Sequence, residues 1–396
     1  MSVLFTYAFR PLFLLATILA ILIVPFWIAA WLGTHSAPTG FGTPVWWHAH
    51  EMIFGFAGAA VGGFALTAVA TWTKRPPVAG LPLVILTSLW LVARVLFFLP
   101  GDDQLLPAAA ADLGYDILLL ALMGREIVAA NSTRNYKVLA ILALFAGANA
   151  LFFTGLRTNA PWVPLTLFGG LWLLVLLINL IGGRIIPGFT RNWLTRQAPA
   201  ERDDPSKLPP AFDRFDLVAT WLLLAFAASQ LTAAPARPSA VLGLLTALAL
   251  LFRLVRWRGW RTRSEPLVWV LHLAFAWIPI GVALLSAAEL GWVPRTAGIH
   301  ALTSGAISTM IVAVASRAAL GHTGRALESH WLLTLAYLAI TLAAVCRVAS
   351  AFGPGARILL MISATVWTLG FLLFLVRYVP ILTQPKKTRP GSLPTV

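Results

Sequence analysis

The chain has one cysteine, Cys346, among 396 residues. That excludes an intrachain disulfide, a multi-thiolate zinc or iron–sulfur site and covalent haem attachment through Cys-x-x-Cys-His. Charge is scarce too: 11% of residues are Asp, Glu, Lys or Arg, against about 25% in a soluble globular protein. No stretch is polar enough to form a sizeable soluble domain. No signal-peptide cleavage pattern stands out at the N-terminus, so Pro11 to Gly33 reads as a retained helix. What remains is apolar. The chain is 59% hydrophobic, with a mean hydropathy of +0.84. The expectation is an all-α integral membrane protein forming a single polytopic domain over residues 1–396.

Apolar runs near the ~20 residues needed to cross a bilayer predict twelve spans. They fall at about 11–33, 50–72, 80–99, 107–124, 138–156, 161–182, 214–231, 238–255, 266–286, 297–317, 330–350 and 358–378. A polar, proline-containing segment at about 183–213 splits them six plus six. No repeat is legible between the halves, so an inverted-repeat transporter gains no support. With the N-terminus inside, 23 of the 29 lysines and arginines fall on inner segments. Positive-inside bias therefore predicts cytoplasmic N- and C-termini. The net charge of +15 follows from that bias and a basic tail. It does not argue for nucleic acid, because no soluble basic domain exists to carry it.

Against this background seven histidines stand out. An imidazole in lipid needs a partner, and neutral imidazole is a common ligand for haem iron and copper. Since the one cysteine cannot anchor a haem, such a group would be held non-covalently. The densest stretch is Trp46-Trp47-His48-Ala49-His50-Glu51-Met52. The topology puts His48, His50 and His300 near the outer face. His272 lies about two turns into the ninth span from the inside, and His322 beside the inner loop. The 22 residues from His300 to His322 rise about 33 Å along a helix, so these two cannot share a metal.

His48, Glu51, Gly55, Gly58 and Gly62 recur at helical spacing. That stripe reads either as a seam for close helix packing or as a surface against which a flat macrocycle lies. His48 and His50 point about 200° apart on a helix, but share a side in an extended lead-in. Either they chelate one ion before the helix starts or they serve different partners. His300 starts a polar face with Thr303 and Ser304. His272 sits between Trp269 and Trp277, which also suits an aromatic belt. His35 and His330 read as ordinary interface residues.

Arg94, Asp112 and Asp116 are intramembrane charges that need partners. Arg94 is expected to pair with Asp112 or Asp116, which are spaced i,i+4 on the fourth span; a proton relay through the two carboxylates is the alternative. Asn179 and Arg184, at the inner end of span six, suit an acidic group such as a haem propionate, or Arg184 simply anchors the topology. Arg325 is the second arginine proposed for cofactor binding.

These motifs resemble the NnrS family. The resemblance is carried by Phe9-Arg10-Pro11, His48-Ala49-His50-Glu51-Met52-Ile53-Phe54-Gly55-Phe56 and Gly182-Gly183-Arg184-Ile185-Ile186-Pro187. It continues through Leu271-His272-Leu273-Ala274-Phe275-Ala276-Trp277, His300-Ala301-Leu302-Thr303-Ser304-Gly305-Ala306 and Arg317 to Arg325. Ser316 stands where threonine is usual, and Thr71 to Lys74 varies the usual end of span two. The resemblance implies a multi-pass protein of the bacterial inner membrane that contains haem, here of the non-covalent b type, and copper. It is associated with nitric oxide and nitrosative stress. It places the family's histidines at His48, His50, His272, His300 and His322. His48 and His300 are expected to be the principal outer-face ligands, with His50 serving copper or a second centre. The implied partners are nitric oxide or a derived small molecule and the lipid bilayer. Two alternatives stay open: a redox enzyme of the nitric oxide reductase or oxidase type, and a cofactor-free transporter.

Overall fold

The computed structural model describes residues 2–38, 40–99, 102–199, 204–232, 234–353 and 355–387. Of the lysines and arginines counted above, Arg202 and Arg389 lie outside this set. The described residues form helices and no strands. Twelve helices are long and apolar enough to span a membrane. In chain order they are α1 (Phe9–Trp31), α2 (Pro44–Thr73), α3 (Leu81–Phe98), α4 (Leu105–Ala129), α5 (Tyr136–Thr158) and α6 (Val163–Gln197). Then follow α7 (Arg214–Leu231), α8 (Ala236–Arg256), α9 (Pro266–Glu289), α10 (Arg295–His322), α11 (Trp331–Ala349) and α12 (Ala356–Thr383). The chain is a multi-pass membrane protein.

Local chemistry sets the helix ends. Thr43 caps α2, its hydroxyl accepting the Trp46 N–H at 3.3 Å. Asp213 and Asp216 form a reciprocal capping box at the start of α7. The Glu265 carboxylate accepts the Leu267 N–H at 3.1 Å, ahead of Pro266 in the first turn of α9. His330 also caps a helix, since its Nδ1 accepts the Leu332 N–H at 3.2 Å. The sequence had it as a plain interface residue.

The largest departure from the expected boundaries is α6, which continues to Gln197 instead of ending near residue 182. Pro187 lies inside it. A proline removes one helical hydrogen bond, but the polar continuation through Arg191 and Arg196 keeps the helix intact. The connection to α7 is correspondingly shorter.

Packing divides the chain into two units. The first comprises residues 1–167, 314–328 and 371–396; the second comprises 168–313 and 329–370. Polarity is turned inside out in both. Leu22, Leu106, Ile117, Trp221, Leu248 and Ile358 face outward, while Arg94, Asp112, Glu51, Arg253 and Asn179 are buried. Lipid is the solvent that makes such a surface stable.

The structure reveals a repeat that the residues conceal. A wide turn of π-helix interrupts α2 at Glu51–Ala57 and α10 at Ala301–Ile307. Left-handed residues close the two helices at Lys74 (φ 57°) and Gly324 (φ 69°). The next helices begin at Leu81 and Trp331. Each pair is 250 residues apart. The same spacing relates His50 to His300, Gly55 to Gly305 and Arg75 to Arg325. The helix before each also ends alike, at Gly33 (φ 78°) and Gly291 (φ 73°). The set α1–α4 therefore recurs, in the same chain order, as α9–α12. Few side chains are shared, because any apolar residue serves a lipid- or helix-facing position.

Candidate metal centres and a buried ion network

Residues 44–50 are helical, so the extended lead-in that would let His48 and His50 chelate one ion is not present. The two rings go separate ways. His48 stacks on Trp27, with centroids 4.5 Å apart and planes at 8°. His50 is fully buried and faces the opposite direction, among Phe97, Phe152 and Phe153.

There His50 joins the ion network that the sequence only partly foresaw. Its Nδ1 meets Glu51 Oε1 at 3.0 Å and its Nε2 meets Asn149 Oδ1 at 3.0 Å. The Asn149 amide nitrogen donates to Asp112 at 2.9 Å and to Asp116 at 2.8 Å. Its oxygen is therefore the end facing His50, and Nε2 must donate to it. A carboxylate at Nδ1 also accepts. Both ring nitrogens thus carry protons unless Glu51 holds one. Neither arrangement leaves a lone pair aimed at a metal.

Arg94 completes the cluster, donating to Asp112 and lying 3.2 Å from Glu51 Oε2 through Nε. The expected partnership of Arg94 with the α4 carboxylates is present. Sequence reading missed Asn149, a neutral residue of α5 that carries no charge signal. It also missed Glu51 as a partner, because the π-turn that directs it follows no residue signature.

The glycine stripe of α2 is covered by side chains. A Cβ at Gly55 would stand 2.6 Å from an Arg94 nitrogen, and one at Gly62 would stand 2.2 Å from the Tyr115 hydroxyl. Tyr115 donates to the Gly58 carbonyl at 3.1 Å. The seam reading of these glycines fits; a macrocycle has no open face there.

A second network lies in α6–α8. Arg253, 1% exposed, donates through Nε to Asp216 at 2.6 Å and through Nη1 to Asn179 Oδ1 at 2.6 Å. Asn179 in turn donates to Thr220 at 3.1 Å. The Asn179 amide is thus engaged by Arg253 and Thr220. A Cβ at Gly183 would stand 2.2 Å from an Arg253 nitrogen, so Gly183 makes room for this guanidinium. Arg253, at the inner end of the eighth span, is one of the 23 cations counted above toward the inner segments. Arg184 is exposed on the outside of α6.

His272 has the clearest donor geometry. It is buried on α9, and its Nε2 lies 2.8 Å from Thr190 Oγ1. The Thr190 hydroxyl proton goes to the Ile186 carbonyl at 2.9 Å. Nε2 must therefore be the protonated nitrogen, which leaves the lone pair on Nδ1. Nδ1 is buried and has no hydrogen-bond partner. Gly259 packs against the ring, and a Cβ there would stand 2.6 Å from Nδ1. His300 is fixed in the other tautomer. Its Nδ1–H donates to the Thr296 carbonyl at 2.8 Å, so its lone pair sits on Nε2. This is the backbone-anchored arrangement common among metal-ligating histidines.

His322 ends α10 and packs against Tyr7 and Phe9, each at 5.8 Å between centroids. The helix is continuous from Arg295 to His322, so His300 and His322 stand at its two ends, as the helix arithmetic requires. Among the described residues no three His, Cys, Asp or Glu side chains converge as a preformed ion site.

The fold and these sites define a class: a polytopic helical membrane protein with ion networks buried inside its helices and several histidines anchored singly. The family follows from the sequence itself. The sequence model of the NnrS protein matches residues 3–386, nearly the whole chain, and the chain belongs to the NnrS family. No curated protein matches it.

Proposed function

We propose that this is a haem- and copper-binding protein of the bacterial inner membrane that acts in the response to nitric oxide, binding it or a species derived from it. Family membership supports the reading. The structural observation that carries it is the buried lone pair of His272 Nδ1. A buried polar atom without a partner costs about 1–3 kcal/mol, so its retention in a dry site points to a ligand. Haem iron needs only one or two axial nitrogens, which matches histidines placed singly. A protein-only copper cage needs several donors brought together, and the chain's own groups would have to be joined by other ligands.

Reduced haem iron and copper both bind nitric oxide, and that is the chemistry the cofactors would supply. The protein's part is to hold imidazoles in one tautomer. Thr190 does so for His272 and the Thr296 carbonyl does so for His300. His48 and His322 are the further candidate ligands, each held against aromatic rings. His50 is assigned here to the ion network.

The visible spectrum of the purified protein tests the reading. A Soret band is expected, with the haem released into acidified organic solvent and its spectrum altered by nitric oxide. A colourless, well-folded preparation from haem-replete cells would sink it.

One observation favours the redox-enzyme alternative. The His50 network holds exchangeable protons inside the helices, which reduction of nitric oxide would consume. Steady consumption of nitric oxide with a supplied electron donor, abolished by Asp116→Asn, would select that alternative over simple binding.

A further inference from the structure

The repeat brings two of the family-like motifs to one place and leaves an imbalance of charge there. In the first copy, Arg75 follows the left-handed cap of α2 and donates to Glu126, near the end of α4, at 2.6 Å. Arg125 shares that carboxylate at 2.7 Å. In the second copy, Arg325 follows the left-handed cap of α10 and reaches the end of α12 in the same way. Its partner there is the neutral amide of Gln384, at 3.1 Å.

Around Arg325 the cations accumulate. Arg10 of the Phe-Arg-Pro motif is 2% exposed. It donates through Nη1 to the Leu382 and Gln384 carbonyls at 2.6 and 2.8 Å. Its Nε is buried without a partner, and so is Arg325 Nη1. Arg10 lies within electrostatic reach of Arg325, Arg325 of Arg377, and Lys386 of His322. Among the described residues none of Arg10, Arg325, Arg377 and Lys386 forms an ion pair. The backbone is set rigidly around them, since the Lys387 N–H donates to the Thr323 carbonyl at 3.0 Å.

We propose that Arg10, Arg325, Arg377 and Lys386 form a binding site for a phosphate-type oxyanion. Two buried guanidinium N–H groups without partners are the donors such an anion takes up. The site lies at the helix ends, beside the start of α1 and the end of α12, the level at which lipid headgroups sit. Basic pockets among membrane helices hold acidic headgroups in this way. The same chemistry accepts free phosphate. The proposal is independent of the haem and copper reading.

Thermal unfolding in detergent tests it, with phosphatidylglycerol, phosphatidylcholine or inorganic phosphate added. Phosphatidylglycerol, inorganic phosphate or both are expected to raise the unfolding temperature. A response to phosphate alone identifies a free-anion site, and a response to phosphatidylglycerol alone identifies a headgroup site. Arg325→Gln should weaken the apparent affinity about fivefold, the loss of one cation at a membrane surface. Arg75→Gln, the equivalent change in the first copy, should leave it unaltered. If Arg325→Gln fails to fold, Lys386→Gln, at an exposed position, and Arg377→Gln should show the same weakening. No stabilisation by either anion, equal stabilisation by phosphatidylcholine, or an undiminished response in these variants would overturn the proposal.

Discussion

Arg94 binds Asp112 on α4 and Glu51 on α2 with one guanidinium, and so ties three helices together away from water. The site holds three carboxylates, Glu51, Asp112 and Asp116, against one arginine and one histidine. Removing one partner of a buried pair leaves a charge uncompensated, which costs about 3–5 kcal/mol. Arg94→Met is therefore expected to lower the unfolding temperature and the yield sharply. The double variant Arg94→Met, Asp112→Asn should recover part of the loss. If the single variant is as stable as the wild type, the pair has no structural role.

The histidines divide into two groups that a spectrum can separate. His272→Ala should lose haem absorbance, because it removes a buried imidazole whose Nδ1 has no hydrogen-bond partner while its Nε2 is held by Thr190. His50→Gln should retain haem and lose stability, because it breaks contacts to Glu51 and Asn149. Haem content and unfolding temperature measured on both variants check this. Haem lost from His50→Gln at unchanged stability would reverse the assignment.

The helices were legible because length and apolarity alone decide a membrane span. The pairing of Arg94 with the fourth span was legible for a similar reason: a charge in lipid must find its opposite. Asn149 and Arg253 were not. Asn149 carries no charge, and Arg253 lies so near the end of α8 that it counts with the loop arginines. The π-turns were hidden as well, since no residue type demands one. Without them His48, Glu51 and the glycines trace a regular stripe. With them, His48 turns to Trp27, and Gly55 and Gly62 receive Arg94 and Tyr115. The repeat was hidden because lipid-facing residues are interchangeable, so matching geometry needs few matching residues.

The start of α7 predicts a pH dependence. Arg256 donates to the Asp213 carboxylate, and the Asp216 N–H adds a capping bond at 3.2 Å. Arg256 above all holds the Asp213 carboxyl well below the usual carboxylate range. A group whose folded pKa is depressed contributes stability above its unfolded value and loses it as pH falls through the folded value. Asp213→Asn keeps a good capping residue and removes the charge. Because Asp213 is half exposed, the loss should be at most about 1 kcal/mol. It should be visible at pH 7 and fade below about pH 4. Thermal unfolding at the two pH values measures it; an equal deficit at both would refute the electrostatic account.

The paired π-turns predict where a single methyl group is tolerated. At Gly305 a Cβ would stand 2.4 Å from the Trp277 ring, a rigid indole with nowhere to swing. At Gly55 the nearest atom is the end of the longer Arg94 side chain, but that end is held by Glu51 and Asp112. At Gly147, on α5, nothing lies within 4 Å. Overpacking a close contact costs about 1–3 kcal/mol, whereas glycine to alanine at an open helical position gains up to about 1 kcal/mol. Gly305→Ala and Gly55→Ala should therefore both lower the unfolding temperature, and Gly147→Ala should hold or raise it. Gly55→Ala should also disturb the His50 network, because Arg94 must move to admit the methyl group, while Gly305→Ala should leave that network intact. A Gly305→Ala protein as stable as the wild type would show that Trp277 can yield, and that the π-turn does not fix the approach of α9 to α10.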